Sequence, residues 1–139
     1  MTTLPRPKAT SGMRHIALTV QHLENCLYFY QELMGMAIEW QPDPKNIYLT
    51  SGNDNLALHQ APETFDPSAH QRLDHLGFIL DQESLVNDWY QFLKSHNVPM
   101  KTAPKTHRDG ARSFYCFDPD GNTVQVIYHP PLAKETTNA

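Results

Sequence analysis

Cysteine is scarce in this chain. Two residues among 139, Cys26 and Cys116, cannot build a disulfide framework or a zinc knuckle, and each sits in an apolar stretch that reads as a buried free thiol. A basic excess is also missing. Eleven Lys and Arg against fifteen Asp and Glu leave a net charge of −4, so nothing supplies a basic face for phosphates, which argues against a nucleic-acid partner. No apolar run approaches the ~18 residues that a membrane span needs. Residues Met1 to Met13 hold Pro5, Pro7 and Lys8 but no apolar stretch, so they do not read as a secretory leader, and the expected location is the cytoplasm. What is present is a globular composition, 40% apolar and 19% charged, with eight histidines and eleven prolines. Histidine is the enrichment that hints at chemistry.

No Gly/Ser linker interrupts the chain. The longest polar stretch, Ala61 to Arg72, falls near the middle, and the sequence on its two sides is similar. Arg14-His15-Ile16-Ala17-Leu18-Thr19-Val20 alternates, with Ile16, Leu18 and Val20 on one face. Asp74-His75-Leu76-Gly77-Phe78-Ile79-Leu80 repeats the pattern sixty residues on. In each, a histidine is the second residue and faces away from the apolar set. A helical pattern follows each strand. Leu23, Cys26, Leu27, Tyr30, Leu33 and Met34 lie at helical spacing with Gly35 suited to the C′ position, and Leu85, Trp89, Phe92, Leu93 and His96 do the same after a cap at Asp81 or Ser84. Hairpins then join residues 47–50 to 55–59 through Ser51-Gly52-Asn53-Asp54, and residues 113–117 to 122–128 through Asp118-Pro119-Asp120-Gly121. Further strands are expected near Ala37–Gln41 and Pro99–Thr102.

The expected fold is therefore α+β: two tandem βαβββ modules forming one curved mixed sheet around a cleft, with helices outside. One domain spans residues 13–130, with modules at about 13–60 and 73–129 and a linker at 61–72, between loose tails at 1–12 and 131–139.

These pieces resemble the vicinal oxygen chelate superfamily of glyoxalase I, extradiol dioxygenases, fosfomycin-resistance transferases and bleomycin-binding proteins. The resemblance covers about residues 13–129. It rests on residues 14–20, on Tyr28-Phe29-Tyr30 with Leu33-Met34-Gly35-Met36, on His75, and on Phe117-Asp118-Pro119-Asp120-Gly121-Asn122. It implies a divalent metal held by one cleft-facing residue from the first and the last strand of each half. The first-strand positions are His15 and His75, and the last-strand positions are Ala57 and Gln125. Imidazole suits Fe, Mn, Ni and Zn alike, so the expected cofactor is one such ion per chain on His15, His75 and Gln125. Gln125 departs from the glutamate of most metal-binding relatives, and its amide is a neutral, weaker donor.

Other roles follow from the same comparison. His59, two residues after Ala57, is a candidate ligand, base or substrate contact, and Tyr115 is the other proton-handling candidate. Lys105, Ser113 and Tyr115 stand where the fosfomycin-resistance transferases contact phosphonate, although Ala17 and Gln125 depart from that group. Trp40, Tyr48, Phe65, Phe114 and Trp89 read as core or cleft wall, with Tyr48 carried as a substrate contact. Arg108 and Arg112 flank Asp109-Gly110 and read as solvated, with an anionic ligand as the alternative for both and Arg112 carried as a substrate contact. Histidines 22, 70, 96, 107 and 129 are assigned no role. The expected function is metal-dependent action on a small oxygen-rich molecule, of lyase, dioxygenase or transferase type. Glyoxalase I isomerisation is disfavoured, because Ala57 and Gln125 cannot accept the substrate proton. The alternative is a metal-free, sequestering protein of the bleomycin-resistance kind. Relatives commonly pair, so a homodimer is expected.

Overall fold

The computed structural model describes residues 4–5, 13–67 and 73–132. Most of the expected tails, His70 and residues 68–72 of the expected linker lie outside the described residues. The elements run β1 (His15–Val20), α1 (Leu23–Leu27) with a π-helical continuation (Tyr28–Leu33), β2 (Ala37–Asp43), β3 (Asn46–Thr50), β4 (Asn55–Gln60), β5 (Leu76–Leu80), α2 (Leu85–Ser95), β6 (Lys105–Thr106), β7 (Arg112–Phe117) and β8 (Thr123–Tyr128). A 3₁₀ turn, Pro130–Leu132, follows β8.

The duplication is reproduced strand by strand. One sheet has the order β1-β4-β3-β2 and the other β5-β8-β7-β6. In each, the first strand pairs parallel with the last, and antiparallel hairpins build out to the edge. The strands are joined by ladders as two four-stranded sheets rather than a single continuous one. The sheets approach where β1 and β5 begin: Ile16 of the first and Leu76 and Gly77 of the second line the same hollows. Alternation decides which face is buried. Leu18, Val20, Leu56 and Leu58 from one sheet, and Leu76, Leu80, Val124 and Val126 from the other, join Phe29, Tyr30, Val86 and Leu93 of the helices in one core. The opposite faces carry His15, Ala17 and Thr19, and His75, Gly77 and Ile79, all exposed.

Two expectations are corrected. The first helix is α-helical for only five residues. It then widens into a π-helix that turns Phe29, Tyr30 and Leu33 inward before Gly35, whose φ of +81° ends it. Residues 99–102 form no strand beyond one bridge, Met100 to Cys116. The amides of Lys101 and Thr102 both donate to the Tyr115 carbonyl, which breaks the ladder, and pairing resumes at Lys105.

The module junction is held by polar groups. Asp120, in the second half, accepts hydrogen bonds through Oδ1 from the backbone amides of Gln21 (2.7 Å) and His22 (3.0 Å), serving as a cap for α1 that its own sequence lacks. Asp120→Ala should cost about 1–2 kcal/mol, read as a lower urea midpoint with an unchanged m-value. An unchanged midpoint would show that the cap contributes nothing.

Candidate functional site

The open face of the second sheet forms the wall of a solvent-open groove of about 910 Å³. Strand register orders its side chains into rows. Gly77, Gln125 and Tyr115 stand side by side across β5, β8 and β7. Ile79, Ile127 and Ser113 form the next row. His75 precedes Gly77, and its ring meets the edge of Tyr115 with centroids 5.3 Å apart at 84°. His75, Tyr115 and Gln125 therefore share one end of the groove. Gly77 keeps that end open: a Cβ there would sit 3.4 Å from the Gln125 carbonyl oxygen and 3.9 Å from its Oε1.

The hydrogen bonds fix which atoms face outward. His75 Nδ1 lies 2.6 Å from Asp74 Oδ1, and His15 Nδ1 lies 2.8 Å from Asn55 Oδ1. Both partners only accept, so each imidazole donates from Nδ1 and keeps Nε2 as a free acceptor when neutral. The bond from His75 also holds the Asp74 carboxyl below the usual range. Gln125 Nε2 donates to Ser113 Oγ at 3.2 Å. The hydroxyl oxygen of the buried Ser113 also lies 3.1 Å from His107 Nε2, and Gln125 Oε1 is left for the groove.

The remaining sequence candidates are placed elsewhere. His15 and His59 lie on the open face of the first sheet, outside this groove. His59 Nδ1 is tied to Asn46 Oδ1 at 2.6 Å, and its ring meets Tyr48, which stacks on the exposed Trp40 with centroids 5.1 Å apart. Lys105 stands opposite Ser113 but does not line the groove. Arg112 turns towards α2, donating to Asn87 Oδ1 and Thr106 Oγ1, both at 2.9 Å, so the structure does not bring it to the groove. Phe114 is core, and Trp89 packs beside it on the helix side. Among the described residues, no three His, Cys, Asp or Glu side chains converge as a metal cluster.

The thiols take no part. Burial, and then the charge of Asp118, pushes Cys116 up to about 12, and burial raises Cys26 further. Neither supplies a thiolate nucleophile. The sequence reading missed Gly77, His107 and His129 and favoured a solvated Arg108, yet all four line the groove. His129 was recoverable, since it follows Gln125 and Ile127 at the strand period of two.

Comparisons with known proteins agree with this layout. The family model for the Glyoxalase/Bleomycin resistance protein/Dioxygenase superfamily matches residues 12–126. The metallothiol transferase FosB of Staphylococcus epidermidis is 26% identical over 119 residues, covering 84% of this chain and 80% of the relative. Virulence protein STM3117 of Salmonella typhimurium is 28% identical over 120 residues, covering 81% and 80%. Among solved structures, a glyoxalase/dioxygenase from Nostoc punctiforme superposes with a TM-score of 0.76 at 23% identity, covering 94% of this chain and 99% of its own. A lactoylglutathione lyase from Agrobacterium tumefaciens does so with a TM-score of 0.71 at 20% identity, covering 87% and 96%.

Proposed function

Because the chain belongs to the glyoxalase/bleomycin resistance protein/dioxygenase superfamily, we propose that it is a metal-dependent enzyme acting on a small molecule held through adjacent oxygens. The observation that carries this reading is the shared pinning of the two histidines. Each fixes its Nδ1–H on an acceptor and presents Nε2, the arrangement that metal-ligating histidines use. The donor set of two imidazole nitrogens and one amide oxygen, from His15, His75 and Gln125, fits a first-row divalent ion. Bound there, such an ion would supply Lewis acidity for charge developing on a substrate oxygen.

The chain's own groups set the rest of the chemistry. Gln125 cannot act as a base, which argues against glyoxalase I isomerisation. Tyr115 has no hydrogen-bond partner for its hydroxyl among the described residues, so it is free to donate a proton to a ligand beside His75. His59 is the second proton-handling candidate. The metallothiol transferase relatives favour group transfer or lyase-type chemistry over ring cleavage. His15 and His59 lie outside the groove that holds His75, Gln125 and Tyr115. A homodimer in which the first-sheet face of one copy covers the groove of the other would unite them.

Metal analysis of untagged protein tests the reading. Wild type should carry about one equivalent per chain, and His15→Ala and His75→Ala should each lose it. Mixing the two variants separates the assemblies. If sites form across a dimer, the mixed dimer keeps one intact site and regains metal; if sites form within a chain, it regains none. No uptake of Fe(II), Mn(II), Ni(II) or Zn(II) by wild type would overturn the metal mechanism and leave the groove as a sequestering pocket, the alternative that the neutral Gln125 favours.

A further inference from the structure

We infer that the groove selects an elongated ligand, with an oxygen-rich end at His75 and Gln125, an apolar middle and an anionic end on Arg108. The inference deepens the proposed function and rests on it only for the identity of the reacting end. Gln125 and Ile127 of β8 and His129 just beyond its end all line the groove, and four residues at the usual strand rise put Gln125 and His129 about 13 Å apart. The row between them is apolar: Ile79 is 45% exposed, and Ile127 stands directly opposite it.

The far end carries Arg108 and is braced. His107, Arg108 and Asp109 lie in the hairpin between β6 and β7 and line the groove with His129. The hairpin is closed by the His107 amide on the Ala111 carbonyl (2.7 Å) and by the Ala111 amide on Asp109 Oδ1 (3.0 Å). It packs on the segment beyond His129, where a Cβ on Gly110 would sit 3.7 Å from the Pro130 ring. Asp109 is thus committed to the turn. Arg108 makes no ion pair or side-chain hydrogen bond among the described residues, even with this adjacent carboxylate. His107, on the same rim, is tied to Ser113 through Nε2 at 3.1 Å. A guanidinium with free donors suits a planar carboxylate or a phosphonate. The volume of about 910 Å³ is large for a compact molecule but accommodates an extended one.

The test is an NMR titration of the full chain in EDTA at neutral pH, with octanoate, 1-octanol and acetate as probes. Octanoate should shift the amide resonances of Ile79, Ile127 and His129 and saturate, binding at least tenfold more tightly than octanol or acetate. Arg108→Ala should reduce octanoate to the octanol level, and Arg108→Lys should retain most of the affinity. Equal binding of octanoate and octanol, unchanged binding in Arg108→Ala, or shifts confined to other surfaces would overturn the proposal. Because no metal is present, this outcome is independent of the metal analysis, and either reading can fail alone.

Discussion

Asp118→Ala should lose about 4 kcal/mol of stability, a large part of the roughly 5–15 kcal/mol available to a domain of this kind. The two carboxylate oxygens accept four hydrogen bonds in a buried site: from Tyr30 Oη (2.8 Å), Asn122 Nδ2 (2.9 Å), and the amides of Asp120 (2.9 Å) and Asn122 (2.8 Å). Truncation strands all four donors and loosens the turn that places Asp120 on α1. At about 3 °C per kcal/mol for this size, Tm should fall by about 12 °C. Tyr30→Phe removes one donor cleanly and should cost only about 1.5 kcal/mol. The pH dependence has a definite sign. Burial raises the Asp118 carboxyl above its usual range despite the bonds from Asn122 and Tyr30. The stability this group contributes is therefore full below the ordinary Asp value of about 3.9 and is lost as pH rises through the folded value. The advantage of wild type over Asp118→Asn should shrink from acid to neutral pH in urea melts. An advantage that grows with pH would contradict the assignment.

The duplicated layout is legible in the residues because period-two alternation is strong at Ile16-Leu18-Val20 and Leu76-Phe78-Leu80, and because each hairpin carries Gly, Asn or Asp in its turn. The outward placement of His15 and His75 follows from the same alternation. The π-helical segment was not legible. It arises because Tyr30 must reach Asp118, 88 residues away, and no local signal encodes that distant partner. Ala57 and Gln125 mark matched last strands, yet register alone did not reveal that Gly77 stands beside Gln125 and keeps it accessible. Arg112 looked like an anion contact because it flanks a turn, but it alternates with Ser113 and so faces α2. Arg108, the other arginine of that turn, occupies the groove. Arg112 is directed by its strand, whereas Arg108 is placed by the loop between β6 and β7.

Ser113 matters without lining the groove. It is nearly inaccessible, and its hydroxyl joins Gln125 to His107. Gln125→Glu should therefore do two things at once. It adds a full negative charge to the end of the groove that holds His75. At an effective dielectric of about 20, such a charge contributes several kcal/mol towards a nearby divalent cation, so affinity should rise by about 100-fold or more. It also reverses the hydrogen bond to Ser113, because a carboxylate only accepts. Ser113 must then donate to Glu at position 125, and His107 must donate from Nε2 to Ser113. Calorimetric titration with Zn(II) or Mn(II) reads the first effect, and ¹⁵N shifts of the His107 imidazole read the second as an Nε2–H tautomer in the variant. An Nε2–H imidazole without tighter metal binding would exclude position 125 from the coordination shell. Unchanged affinity and an Nδ1–H imidazole in the variant would remove Ser113 from the positioning of residue 125 altogether.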